Sequence, residues 1–187
     1  MNSFEIYNAT EKDASLIAKI VCLAINDEGA LIEYCGKNYI EVLTKISKSK
    51  ETQYSYTNTL IGIDNERNFV GGIIGYDGAL LNSLRETTLK IIEEATHHRP
   101  IIADETEEGE FYIDSIAVLP LFRKRGVATE LIKAMCSKAF NDGHSKVGLI
   151  VETNNMKAQF LYEKLGFKIV GRKIFFGHNM LHMQISK

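Results

Sequence analysis

Phe111-Tyr112-Ile113-Asp114-Ser115-Ile116-Ala117-Val118 is followed by Leu119-Pro120-Leu121-Phe122, and then by Arg123-Lys124-Arg125-Gly126-Val127-Ala128. The first run reads as a strand, the second as a turn, and the third enters a helix at about Thr129. Backbone N–H groups at a helix start have no partner inside the helix, and the aligned peptide dipoles leave that end positive. Gly126 and Ala128 are small enough for a phosphate to approach the bare backbone, while Arg123, Lys124 and Arg125 bring positive charge to the approach. Such a strand–turn–helix junction is suited to a pyrophosphate.

Further on, Val147 to Glu152 reads as the next strand, followed by Asn155-x-x-Ala158 and Leu161-Tyr162-x-x-x-Gly166-Phe167. The two halves together resemble the acetyl-CoA-binding core of the GCN5-related N-acetyltransferase (GNAT) superfamily. Its signature, Gln/Arg-x-x-Gly-x-Gly/Ala, is met here by Arg123-x-x-Gly126-x-Ala128. The resemblance is close over the C-terminal half and diffuse over the rest. It implies a single α/β domain with a central mixed, twisted sheet flanked by helices, splayed between two parallel strands ending near Val118 and Glu152. It also implies acetyl-CoA as cosubstrate. Ile116, Ala117 and Val118 would pair with the pantetheine arm, and their strand can offer an N–H to the thioester carbonyl. Arg123, Lys124, Arg125, Gly126, Val127, Ala128 and Thr129 would cradle the pyrophosphate. Asn155 would bond the pantetheine or cap the helix that follows, a cap that Asn154 could take instead. Relatives often carry Pro after this Asn, where this chain has Met156.

Tyr162 is placed by the resemblance as general acid, since a phenol (pKa about 10) can protonate a leaving thiolate (thiol pKa about 8.5). The competing reading is an aromatic packed in the core beside Leu161, Leu165 and Phe167. For the base, period-two alternation puts Tyr112, Asp114, Ile116 and Val118 on one face of their strand. A carboxylate in an apolar strand is costly to bury without a partner. Asp114 therefore binds the cationic amine, removes its proton through water, or caps a neighbouring loop; Glu33, Glu110 and Glu152 are further candidates. The expected reaction is direct transfer of acetyl to a primary amine in a ternary complex, without a covalent acyl-enzyme, since Cys136 falls well inside the helix after Gly126. Two alternatives stand beside it: a non-catalytic acyl-CoA-binding regulatory module, and a protein N-terminal or lysine acetyltransferase.

The rest of the chain sets limits. A length of 187 residues fits one domain with a sizeable core, and a net charge of −2 argues against a general nucleic-acid binder. Cys22, Cys35 and Cys136 form no Cys-x-x-Cys pair, which fits reduced thiols in the cytoplasm. The start, Met1-Asn2-Ser3-Phe4-Glu5, lacks the apolar core of a leader, and no run is long enough to span a membrane. His97 and His98 fall in a polar loop, where neighbouring histidines alone rarely make a metal site, and His178 and His182 have no Cys or carboxylate at ligand spacing, so no metal is expected. Neither a Walker loop nor a nucleophile elbow is present. Strands are predicted at Phe4 to Tyr7, Thr59 to Asp64, Phe69 to Tyr76, and in the tail around a turn at Gly177-His178-Asn179. Helices are predicted from Thr10 to Ile25, from Ala30 to Ser47 and from Leu80 to Ala95. Residues 77–108 are the least family-like part: an insertion on the acceptor side, or a surface excursion over the sheet edge. The partner is expected to be a small-molecule or peptide amine, and a homodimer through the final strands is left open.

Overall fold

The computed structural model describes residues 4–187; Met1 to Ser3, which open the stretch read above for a leader, lie outside the described residues. Strands β1 (Glu5–Asn8), β2 (Thr59–Ile63), β3 (Phe69–Asp77), β4 (Phe111–Val118), β5 (Lys146–Glu152), β6 (Lys168–Phe175) and β7 (His178–Ser186) form one seven-stranded sheet in the order β1-β2-β3-β4-β5-β7-β6. All neighbours are antiparallel except β4 and β5, which run parallel. The fold is therefore the mixed α/β architecture expected from the sequence.

Helices α1 (Ala14–Ile25), α2 (Glu28–Cys35), α3 (Tyr39–Lys48) and α4 (Leu81–Thr96) contribute to one face of the sheet, and α5 (Val127–Asn141) and α6 (Met156–Lys164) cover the other. On the first face Ile17, Ile20 and Val21 of α1, Leu43 and Ile46 of α3, and Ile92 of α4 pack with Ile61 and Ile74. On the second, Leu131, Ile132, Met135 and Ala139 give α5 an apolar stripe at helical spacing, set against Val70, Ile73, Val147 and Leu149. Among the described residues no helix is long and apolar enough to cross a membrane.

Three expectations need correcting. The helical region expected over Ala30 to Ser47 is two helices, broken at Gly36, whose φ of 74° is left-handed and ends α2. Helix α5 begins at Val127, not at Thr129, because Val127 is buried and anchors the first turn. The third concerns β4, where Ser115 pairs with Ile74 but Ile113 pairs with Gly75. Asp114 is the extra residue of a β-bulge, and the bulge shifts the phase of the strand. Phe111 and Ile113 before it, and Ile116 and Val118 after it, all face α5 and α6. Tyr112 packs with Tyr76, Leu81 and Leu84 on the opposite side, where Ala117 also lies. Tyr112, Asp114, Ile116 and Val118 thus do not share a face. Asp114 keeps to the side of Tyr112, where its carboxylate meets the Tyr76 hydroxyl.

Helix α4 builds much of residues 77–108 into the core, while most of residues 97–104 are exposed. Leu89 and Ile92 of α4 are buried with α1 and α3, and the chain then returns across the sheet to β4.

Candidate active site

β4 and β5 pair at only two rungs, Phe111 with Val147 and Tyr112 with Gly148. Beyond them β4 runs on to Val118 and β5 to Glu152, and the two strands part. Ile116, Ala117 and Val118 pair with Ile73, Gly72 and Gly71 of β3 on one side. Their other edge borders the gap without a strand partner. Both strands end at the open side of this cleft, so the helices that follow them, α5 and α6, begin there.

The start of α5 has no side-chain cap. The N–H groups of Val127, Ala128 and Thr129, in its first turn, lack an acceptor inside the helix. Gly126 has a φ of 86°, and a Cβ built there would meet nothing within 4 Å, so backbone conformation demands the glycine while its surroundings stay open. The three cations play different parts. Arg123 folds back, its Nε donating to Val118 O at 3.2 Å, and fastens the end of β4. The Arg125 guanidinium lies 5.4 Å from the centre of the Phe122 ring. Lys124 and Arg125 are exposed beside the open helix start. An anion meets bare N–H donors, a helix dipole and free positive charge there, which fits a pyrophosphate.

At the start of α6, Asn155 is the cap: its Oδ1 accepts from Ala158 N at 3.2 Å, and Asn154 does not take that place. The Asn155 amide nitrogen keeps its donors. Gln159 of α6 reaches back to Glu152 O at 2.9 Å and Thr153 O at 3.1 Å, fixing the helix against the end of β5. Tyr162 is buried, with its ring 5.9 Å from that of Phe167. Burial pushes its phenol up to about 12. Its hydroxyl is hydrogen-bonded to no other described residue.

On the other face of the sheet a polar layer runs beneath the chain between α4 and β4. The bulge sets Asp114 against β3: Tyr76 Oη lies 3.3 Å from Asp114 Oδ2, and Ser115 Oγ donates to Asp114 Oδ1 at 2.7 Å. Tyr76 also donates to Glu105 Oε1 at 3.0 Å, and Gln53 Nε2 lies 2.9 Å from the same oxygen. Arg85 of α4 closes the chain, its NH2 2.6 Å from Glu105 Oε2. Burial and the Glu105 charge push the Asp114 carboxyl up to about 7, against the pull of the Ser115 and Tyr76 hydrogen bonds and of Arg85.

Glu110 is buried at the point where the strands begin to part. It accepts from Thr106 Oγ1 at 2.7 Å and Gln184 Nε2 at 2.7 Å, and lies 2.8 Å from His182 Nε2. Burial pushes its carboxyl up, but the hydrogen bonds of His182, Thr106 and Gln184 outweigh this and leave it below the ordinary value. Tyr112 lies among these groups; burial first, then the charges of Asp114, Glu105 and Glu110, hold its phenol well above the usual range.

Of the other candidate bases, Glu33 is exposed on α2 and joins neither cluster. Glu152 ends β5 with its carboxylate 3.6 Å from His178 at the surface. Sequence reasoning missed Gln53, Tyr76, Arg85 and Glu105, and it set His182 aside as a surface or internally satisfied histidine, the second of which it is. A signal for Arg85 was available: it falls within the apolar series Leu81, Leu84, Leu89, Ile92 at helical spacing on the buried side of α4.

A sheet that parts between two parallel strands, with a bare helix start at the mouth of the gap, defines the acetyltransferase class of α/β fold. Over residues 37–167 the chain matches the acetyltransferase (GNAT) family, and it belongs to that family. It is similar to the crystal structure of an N-acetyltransferase from Staphylococcus aureus Mu50, at 26% identity and a TM-score of 0.81, over 97% of this chain and 100% of that one. It is 42% identical over 60 residues to an N-alpha-acetyltransferase of Saccharolobus solfataricus, a stretch covering 32% of this chain and 36% of that protein. Over 65 residues it is 35% identical to an aminoglycoside N(6')-acetyltransferase type 1 of Salmonella typhimurium, covering 35% of this chain and 45% of that protein. The matches to these curated relatives thus span less than half of their length.

Proposed function

We propose that the protein transfers the acetyl group of acetyl-CoA to a primary amine by direct attack, with both substrates held in one ternary complex. The observation that carries this reading is the two-rung pairing of β4 with β5, which leaves the Ile116–Val118 edge without a strand partner on the side where the bare start of α5 follows. Acetyl-CoA would supply the reactive thioester. The gap-facing edge of Ile116, Ala117 and Val118 would hold its amide-bearing arm, and the N–H groups of Val127, Ala128 and Thr129, with Lys124 and Arg125, its pyrophosphate. Asn155 retains an amide nitrogen to donate once its oxygen has capped α6.

Asp114 is the base in this reading. A carboxyl at about 7 is ionised in a good part of the molecules at neutral pH, yet takes up a proton more readily than an ordinary aspartate. Tyr162 is the acid. At about 12 its phenol stays protonated across the neutral range, and transfer to a thiolate is uphill, so it first stabilises the departing sulfur by a hydrogen bond and yields its proton as charge develops. Burial pushes the Cys35 thiol up to about 12 and the Cys136 thiol up to about 11, which disfavours a thiolate nucleophile and supports the direct route.

The acceptor is read as a cationic amine on a small molecule or peptide, since among the described residues no cation of the chain lies within ion-pair distance of Asp114. The alternative of protein N-terminal or lysine acetylation concerns the same chemistry with a larger acceptor.

Calorimetric titration with acetyl-CoA tests the donor side, alongside an Arg125→Glu, Gly126→Asp double variant. Micromolar binding that the double variant loses is the expected result, followed by an amine-library screen for thiol release. An intact protein that does not bind acetyl-CoA would overturn the reading. Binding without turnover on any amine, unaffected in its ligand response by Asp114→Asn and Tyr162→Phe, would point to a sensor instead.

A further inference from the structure

Tyr76 has one hydroxyl hydrogen and two carboxylates within reach, Glu105 Oε1 at 3.0 Å and Asp114 Oδ2 at 3.3 Å. With both ionised, one of the two goes without that donor. With Asp114 protonated the conflict disappears: Asp114 donates to Tyr76 Oη, and Tyr76 donates to Glu105. Burial pushes the Glu105 carboxyl up, and the hydrogen-bond donors around it work against that burial in favour of the ionised form. Gln53 Nε2 donates to Oε1 at 2.9 Å, and Arg85 NH2 donates to Oε2 at 2.6 Å. Arg85 is itself fixed by Asp104 through NH1 and by Ala103 O through NH2 at 3.1 Å.

We propose that Arg85 is a positioning residue for the transfer: it holds Glu105 as an anion against Tyr76, so that Tyr76 can accept a hydrogen bond from Asp114 once Asp114 has taken the proton of the acceptor amine. The proton passes from the ammonium nitrogen to Asp114, which holds it through the transfer and gives it to water after product release, and no covalent bond to Tyr76 or Glu105 is made or broken. This inference rests on the reading of Asp114 as the base, and it assigns a role to residues 77–108, which supply both Arg85 and Glu105.

The groups facing Asp114 come from every element around it. Tyr34 of α2 and Tyr54 of the loop after α3 interact with its charge, as do Tyr76 of β3 and Tyr112 of its own strand. Arg85 of α4 and Glu105 of the crossing chain act in opposite directions on it, Glu105 the more strongly. The remaining tyrosines are neutral at physiological pH, so Arg85 and Glu105 are the levers.

Side-chain carboxyl ¹³C NMR of the intact protein, which needs no acceptor, tests the proposal by following Asp114 with pH. Arg85→Met removes the cation, and the last ionisation of the Asp114–Glu105 pair should move up by about one pH unit or more. Glu105→Gln removes the opposing anion while keeping its shape, and the Asp114 midpoint should fall by about one unit or more. Arg85→Lys keeps the charge and should stay within about half a unit of the parent protein. The kcat/KM pH profile should move with these midpoints once an acceptor is known.

If the Asp114 titration is the same in the parent, Arg85→Met and Glu105→Gln proteins, whatever happens to thermal stability, Arg85 is merely structural and the proposal is wrong. Should Arg85→Met fail to fold, Glu105→Gln alone decides, with an unmoved midpoint overturning the proposal. Shifts as expected in a protein that shows no acetyl-CoA-dependent thiol release would instead sink the transferase reading.

Discussion

Gly148 and Glu110 occupy one space: a Cβ at Gly148 would stand 1.8 Å from Glu110 Oε2. The carboxylate lies directly on the backbone of β5 at the last rung shared with β4. The strand cannot retreat, because Gly148 is paired to Tyr112 on one side and to Gln184 on the other.

Gly148→Ala should therefore displace Glu110 from His182, Thr106 and Gln184. Overpacking of this kind costs about 1–3 kcal/mol. Thermal unfolding should show a lowered midpoint, and a variant as stable as the parent would mean that the carboxylate has room to move.

Tyr162→Phe separates chemistry from packing. The ring is buried beside Phe167, but its hydroxyl has no partner among the described residues, so stability should change little. A lost general acid should lower kcat about 100-fold or more. Paired measurements of kcat and melting temperature check this, and an unchanged kcat would return Tyr162 to the core.

The pH dependence of stability carries a definite sign. The Asp114 carboxyl is raised in the folded protein to about 7, so its contribution to stability is full below the unfolded value near 3.9 and is lost as pH rises through 7. Asp114→Asn removes this penalty. At pH 8 the variant should melt higher, by roughly 2 °C or more, while losing most of its turnover. An equal or lower melting temperature at pH 8 would show that the carboxylate is stabilised once ionised.

Salt should distinguish the two ends of the cleft. Lys124 and Arg125 are exposed, so their share in acetyl-CoA binding is screened as ionic strength rises. Calorimetric Kd values should weaken between low and high salt, whereas the buried Arg85–Glu105 pair should leave the melting temperature much less sensitive.

The strand–turn–helix junction between β4 and α5 was legible because its determinants are local. A strand, a turn, Arg123-x-x-Gly126-x-Ala128 and a helix start are consecutive in the chain, so a short window of sequence contains the whole junction. The mixed sheet with its parallel pair ending near Val118 and Glu152 was expected through the family resemblance, while the order of the other strands came only with the structure. The polar layer around Asp114 was read less well for two physical reasons. One inserted residue at Asp114 reverses the phase of β4, and alternation counted along a sequence has no means of registering a bulge. Glu105 and Arg85 lie on a loop and a helix whose packing against β3 is decided by tertiary contacts, so their meeting with Tyr76 had no signal at short range. Gly36 shows the same limit on a smaller scale: apolar spacing ran through it, but the backbone turned.

The interrupted ladder between β4 and β5 has a consequence for observation. Peptide groups in the middle of a sheet are ordinarily the slowest in a protein to exchange their hydrogens with water. Here the N–H groups of Ile116 to Val118 that point away from β3 sit at the sheet's centre and yet face an open seam. Deuterium should enter them quickly in the free protein and slowly once another molecule's carbonyls take the place of the missing strand. The seam thus reports its own occupancy, residue by residue, without a label or a turnover assay.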